Sequence, residues 1–273
     1  MPEGPEVKTI TVGLDEELKG KTLYSIEFSE KGKYREKSPS NFLTIEKCLP
    51  AKIKSVRCKG KFIIFMFKSE EGKVFYMGNS LGMSGIWAFS EKQQKHTCMT
   101  MLVGKEKIQF IDQRHFGCVH FYPDSEKLQE KLNTIGPDFL NTGITLKKFS
   151  ERIKKKGKRV INDVLMDQSV VSGVGNYIKS EVLYRSKISP RRKIDTLDEK
   201  DISRLYDSIS DIMEKSYKYN GMSQENYVTL EGEEGKYVNF LLVYRKKKDP
   251  KGNNVKAEKM KGRTTYWVPE IQK

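Results

Sequence analysis

Cysteine is scarce in this chain and poorly spaced for metal: 273 residues hold four, Cys48, Cys58, Cys98 and Cys118, with no C-x-x-C pair. That spacing supports neither a disulfide framework nor a zinc site, and it fits reduced thiols in an intracellular protein. No apolar run approaches the ~20 residues of a membrane span and no signal peptide opens the chain, which sets aside membrane-spanning and secreted classes. Internal repeats and low-complexity tracts are also absent. Acidic residues are in deficit, with 36 Asp plus Glu against 51 Lys plus Arg and a formal net charge of +15. A surplus of this size points to a phosphate-rich partner, with an anionic membrane surface as the weaker candidate.

What is present reads as an α+β chain long enough for about two domains. Val7, Ile10, Leu14 and Leu18 recur at helical spacing and stop before Gly20, predicting one amphipathic helix at the start. Residues 23–122 change to short β-prone runs, among them 62–67, 74–77 and 108–111, broken by Gly-containing turns as in a β-sandwich or barrel. Residues 123–143 are polar, with Gly136-Pro137-Asp138 as a breaker, and serve as the linker. A helical pattern then runs to about residue 219, and residues 238–273 return to β-prone composition with dense Lys.

Two constellations carry chemistry. The chain opens Met1-Pro2-Glu3-Gly4-Pro5-Glu6-Val7, so removal of the initiator Met would leave a secondary amine beside a carboxylate. An α-amino group titrates near ~8 against ~10.4 for lysine, so more of it carries a free lone pair at neutral pH. Such an amine can attack a sugar carbon and form an iminium. Taken alone, the same residues suit the first turn of an ordinary helix better than a catalytic terminus. The second constellation covers residues 154–190: the basic run Lys154-Lys155-Lys156-Gly157-Lys158-Arg159, a short helix over 160–166, a turn holding Gly173 and Gly175, and a helix to Arg185. The glycines permit close backbone approach, and the second helix's first N–H groups suit a phosphate. By itself this too is compatible with a plain αα-hairpin carrying a solvated basic face.

Taken together with Gly262-Arg263-Thr264-Thr265-Tyr266, these stretches resemble the formamidopyrimidine-DNA glycosylase and endonuclease VIII family over nearly the whole chain. Gly60-Lys61-Phe62, Leu81-Gly82-Met83-Ser84-Gly85, His96 and Asp112-Gln113-Arg114-His115-Phe116-Gly117 match in order between the anchors. The resemblance implies an N-terminal helix and β-sandwich domain over residues 1–130 and a linker over 131–143. It further implies a helix-two-turn-helix domain over 144–236 and a β-hairpin finger over 237–273. It implies a monomeric, bifunctional DNA glycosylase and abasic-site lyase of base-excision repair, acting on damaged duplex DNA with the lesion flipped out, since the base is out of reach inside the stack. Pro2 would attack C1′, Glu3 would handle the proton that opens the sugar, Glu6 would support it, and Lys61 would assist β,δ-elimination over the phosphate. Met83, Arg114 and Phe116 would fill the hole left by the base, although Met83 and Phe116 at strand ends would equally serve as core. Lys158, Asn176, Arg263 and, more weakly, His96 would contact phosphates.

The chain departs from the family's commonest pattern in its finger. Asp249-Pro250-Lys251-Gly252-Asn253-Asn254 and Val268-Pro269-Glu270-Ile271 stand where most members carry zinc-binding cysteines, so no zinc and no other cofactor are expected. This resembles the zincless finger of the endonuclease VIII-like branch, and the ten basic against three acidic residues over 237–273 argue for retained phosphate contact. Residues 221–238 are about as long as the loop with which guanine-specific relatives cover 8-oxoguanine. Glu225, however, stands where their pattern has arginine. Oxidised pyrimidines and hydantoins are therefore expected ahead of 8-oxoguanine, because a site that loses polar partners discriminates poorly for the ligand that needs them. Two rival readings remain: a non-catalytic damaged-DNA or RNA binder that uses the helix-two-turn-helix, against which the Pro2-Glu3 start speaks, and a damage sensor that has lost catalysis, against which Pro2, Glu3 and Lys61 speak.

Overall fold

The computed structural model describes residues 2–30, 33–223, 227–230 and 232–273. Its contacts divide it into two units, one of Pro2, Glu6–Thr134 and Met222–Gly235, the other of Glu3–Pro5, Ile135–Gly221 and Lys236–Lys273. Helix α1, Gly4–Leu18, begins three residues ahead of the apolar repeat, with Pro5 in its first turn where a missing N–H costs nothing. From Glu6 onward it belongs to the first unit, burying Val7, Ile10, Leu14 and Leu18 against the sheet. It ends before Gly20, whose N–H donates to the Ile53 carbonyl.

The first unit is built on β1 (Thr22–Phe28), β2 (Ala51–Lys59), β3 (Phe62–Ser69), β4 (Val74–Ser80), β5 (Gly85–Phe89), β6 (Thr97–Val103), β7 (Glu106–Asp112) and β8 (Cys118–Tyr122). These form one antiparallel sheet in the order β5-β7-β6-β1-β2-β3-β4-β8. The expected sandwich is thus a single sheet folded over. Trp87 on β5 lies 5.2 Å from Phe65 on β3 and donates its Nε1–H to Asn79 Oδ1 on β4 at 3.1 Å, although β5 stands in the other half of the strand order. Register breaks fall at 23/25 on β1 and 53/55 on β2, irregularities of the kind that sharpen twist. Helix α2 (Phe42–Glu46) adds Phe42 and Ile45 to this core.

The stretch 123–143, polar enough to read as linker, contains a helix, α3 (Ser125–Asn133). Asp124 caps it by accepting the Lys127 N–H at 2.8 Å, and Leu128 is its buried residue. One buried side chain leaves no apolar period in the sequence, which is why this helix was not legible there.

The second unit comprises α4 (Leu146–Lys154), α5 (Ile161–Leu165), α6 (Asn176–Arg185), α7 (Glu199–Lys218) and the hairpin of β9 (Lys256–Met260) with β10 (Arg263–Trp267). Helix α7 opens on a capping box in which Asp198 and Asp201 each take the other's backbone N–H. No described helix is long and apolar enough to cross a membrane. Glu181 on α6, 1% exposed, accepts the N–H groups of Leu242, Val243 and Tyr244 at 2.8, 2.9 and 2.8 Å, fixing the chain that leads into the hairpin. Burial pushes its carboxyl above the ordinary range against the pull of those amides. Glu181→Gln keeps the shape but aims an NH2 group at a backbone donor. The expected loss is about 1–3 kcal/mol, the scale of an unsatisfied buried polar group. Thermal unfolding followed by circular dichroism tests this, and an unchanged midpoint would sink it.

Candidate active site

The N-terminal residues are held by a helix rather than left in solvent. Pro2 is buried, and Glu3 beside it is 2% exposed. The Glu3 carboxylate accepts the N–H of Tyr177 at 2.9 Å and of Ile178 at 3.3 Å, while the Gly4 N–H donates to the Gly173 carbonyl at 2.8 Å. Helix α6 has no capping side chain of its own at Gly175, so this carboxylate satisfies donors that would otherwise be orphaned and sits at the positive end of the dipole. The sequence reading offered those amides to a phosphate; Glu3 has taken the two from Tyr177 and Ile178. Gly175 is required by space: a Cβ there would stand 2.2 Å from Glu3 Cδ. Glu6, 1% exposed, accepts the Met222 N–H at 2.8 Å and so anchors the start of the segment 222–235 within the first unit.

Around α6 the structure gathers several further residues. Asn176 donates Nδ2–H to the Thr264 carbonyl at 2.9 Å, which ties the helix to the strand that starts at Arg263. Arg263 itself is exposed. Lys158 is exposed in the turn between α4 and α5. The loop between α5 and α6 is shaped by Gln168, whose Oε1 accepts the Gly173 N–H at 3.0 Å and whose Nε2 donates to the Val174 carbonyl at 2.8 Å. Lys179, one turn into α6, is fully buried and reaches Asn176 Oδ1 at 3.0 Å and Thr265 Oγ1 at 2.8 Å. Sequence reasoning missed Gln168 and Lys179. Nothing in a lysine's identity marks it as buried, and most lysines are not.

In the first unit, Lys61 lies half-buried in the turn between β2 and β3. The turn 82–84 and the loop 113–117 are brought together by Asp112, which is fully buried at the end of β7. Its Oδ1 accepts from Ser84 Oγ at 2.6 Å and from the Arg114 N–H at 3.2 Å, and its Oδ2 accepts the Gly117 N–H at 2.6 Å. Met83 is half-buried beside this knot. Phe116 is 55% exposed, which rules out the alternative that it is core, and Arg114 lies 4.9 Å from its ring centroid. His96 is half-buried with φ 66°, and its ring centroid is 6.3 Å from that of His115. Glu225 falls outside the described residues.

The hairpin does not offer a zinc ligand set. Residues 237–273 contain no Cys or His. The Asp249 carboxylate is committed to the N–H groups of Lys251 and Asn253 at 2.9 and 2.8 Å, to Asn253 Nδ2 at 2.9 Å and to the Tyr184 hydroxyl at 3.0 Å. On the far side Val268 is buried, and Gln272 accepts its N–H at 2.7 Å while donating to the Ile188 carbonyl at 3.0 Å. Hydrogen bonds and packing hold both segments.

Sequence models of three domains match the chain in order: the formamidopyrimidine-DNA glycosylase N-terminal domain over residues 1–119, its H2TH domain over 135–227 and its C-terminal domain over 233–273. The chain is similar to the formamidopyrimidine-DNA glycosylase of Cytobacillus firmus, 30% identical over 281 residues with all of both chains covered. It is likewise similar to that of Desulfitobacterium hafniense, 29% identical over 277 residues with the same coverage. Among solved structures, the Lactococcus lactis protein in complex with abasic-site DNA superposes with a TM-score of 0.88 at 30% identity, covering 99% of each chain. A MutM bound to DNA containing carbocyclic 8-oxo-G gives 0.86 at 29% identity, again over 99% of each.

The knot at Asp112 makes a prediction of its own. Asp112→Asn replaces one of its two acceptor oxygens by a donor facing Ser84 or Gly117, and should cost about 1–3 kcal/mol. Faster hydrogen exchange confined to residues 113–117 and 82–84, with a lower unfolding midpoint, is the expected result; unchanged exchange there would contradict it.

Proposed function

The chain belongs to the formamidopyrimidine-DNA glycosylase family, and from that premise we propose that it is a base-excision repair glycosylase that removes oxidised bases from duplex DNA and nicks the abasic site it creates. The observation that carries the reading is the buried Glu3 carboxylate, held on the α6 amides directly beside Pro2. Once the initiator Met is removed, the Pro2 nitrogen attacks C1′ of the flipped nucleotide with its lone pair. The glycosidic bond breaks with its electron pair going to the base, which takes a proton from solvent, while Glu3 accepts the proton released by the attacking Pro2 nitrogen and passes it to the ring oxygen as the sugar opens to the iminium. The resulting iminium acidifies the neighbouring carbon, so β- and then δ-elimination expel the 3′ and 5′ phosphates. Lys61 stabilises the phosphate that leaves, a role suited to a compact cation on a flexible stem. Glu6 supports the terminus by keeping the segment from Met222 in place.

Asn176, Arg263, Lys158 and His96 act as phosphate contacts that set register without reading sequence. Exposed Phe116 with Arg114 above its ring, and Met83 on the same knot, fill the space left by the extruded base. No step runs through a metal. The protein acts as a monomer, with the four domain segments expected from the sequence.

Pro2→Gly, or an N-terminal tag that blocks the amine, should abolish borohydride trapping on an abasic-site duplex and leave the fold intact. Full trapping by a tagged protein would disprove the amine's role. For substrate, the finger without cysteines and Glu225 at the arginine position favour thymine glycol, 5,6-dihydrouracil and hydantoins over 8-oxoguanine. Single-turnover excision of 8-oxoguanine opposite cytosine at least as fast as thymine glycol opposite adenine would overturn that preference.

A further inference from the structure

Lys179 is the side chain in the second unit that folding alone explains least. It is 0% exposed. Both acceptors that its ammonium reaches, Asn176 Oδ1 and Thr265 Oγ1, are neutral oxygens. Burying an ammonium without a carboxylate partner is costly, and an apolar side chain of similar volume would fold at least as well. What the cation contributes is orientation. The two ends of the Asn176 amide have nearly the same shape, but an ammonium can meet only its oxygen and the Thr264 carbonyl can meet only its NH2, so together they allow one setting. By occupying the Thr265 oxygen, Lys179 also directs the hydroxyl proton to Asn162 Oδ1 at 2.9 Å. One charge thereby orders a hydrogen-bond chain from α6 through β10 to α5, and Arg263 is two residues from Thr265 on that strand. Lys179 and Arg263 also line one cavity of about 310 Å³.

We propose that Lys179 is a positioning residue for DNA binding: a buried cation that fixes the Asn176 amide and the Arg263-bearing strand in the geometry that grips phosphate, in a finger that has no metal ligands to hold it. This rests on the function proposed above. The charge is conditional on pH. Burial presses Lys179 down to about 8, against the opposing pull of Glu3, with Arg263 adding to the fall and Asp163 resisting it. Facing it are Glu3 ahead of α1, Asp163 on α5 in its ion pair with Lys261, and Arg263 on β10, while Tyr244, whose hydroxyl burial raises and keeps neutral, meets Asn176. Arg159 and Asp167 pair across the same cavity. A phosphate docking on Asn176 and Arg263 brings negative charge that favours the ammonium, so binding raises the Lys179 pKa. Affinity is then full below about 8 and falls as pH rises through it.

The test uses the full chain and a duplex carrying an uncleavable abasic analogue, with affinity read by fluorescence anisotropy at pH 7 and pH 9. At pH 7, Lys179→Met should weaken binding about tenfold, the scale of one or two lost hydrogen bonds, while its thermal midpoint is unchanged or higher. On an Asn176→Ala background the same substitution should cost less than about twofold, because two residues that act through one another are not additive. The wild-type protein should lose affinity between pH 7 and pH 9, and Lys179→Arg should not, since a guanidinium stays protonated. The arginine variant decides the matter even if the methionine variant fails to fold, because the free terminal amine also titrates near ~8 and its contribution would persist in Lys179→Arg. Wild-type binding that is flat to pH 9, a pH step that survives in Lys179→Arg, or wild-type affinity in Lys179→Met would overturn the role of Lys179 and leave the glycosylase reading standing. A wild-type protein that binds no DNA at pH 7 would overturn the function and this role together.

Discussion

The bond between the Glu3 carboxylate and the first amides of α6 is the interaction that sets the start of this chain in place. A helix N-terminus with no capping side chain needs an acceptor, and here the acceptor is supplied by a residue 174 positions earlier in the chain. A charge at this position is stabilised by about 0.3–1 kcal/mol, and up to ~2 kcal/mol where partly buried. The demand is mutual. The helix gains its cap, and Glu3 gains a fixed position. Gly175 is the steric condition for this, because any side chain there would collide with Glu3.

The same device recurs throughout the molecule. Asp112 takes the amides of Arg114 and Gly117, Asp138 those of Leu140 and Asn141, Glu181 those of Leu242, Val243 and Tyr244, and Asp249 those of Lys251 and Asn253. Each of these carboxylates is buried, and each fixes an irregular segment of backbone. A charged acceptor makes shorter and stronger bonds to backbone N–H groups than a neutral one, which suits irregular segments with no ladder of their own. In a chain short of acids, several are thus turned inward onto the backbone while the lysine surplus stays largely at the surface, as a phosphate-binding protein requires.

Residues 237–273 are held together without cysteine or histidine. A structural zinc would tie two loops by four bonds at one point. Here the work is distributed over the Asp249 knot, the buried Val268 with Gln272 beneath it, and the chain from Lys179 through Thr265 to Asn162. Lys179 is the cationic member of this set, and burial brings its titration down to about 8, so its charge is the one that depends on pH near neutrality.

Much of this was legible in the sequence. The register of α1, the strands over 62–67, 74–77 and 108–111 and the two helices around the Gly173 and Gly175 turn are all properties of neighbouring residues, and local periodicity or identity encodes them. Helix α3 was hidden because a helix with one buried residue has no period. The partners of Glu3, the fully buried state of Lys179, the exposure of Phe116 and the joining of two loops by Asp112 were decided by tertiary structure alone. Each depends on which distant backbone groups the topology leaves unsatisfied and which faces it covers, and a side chain's chemical type sets what it can bond to without saying what will be there.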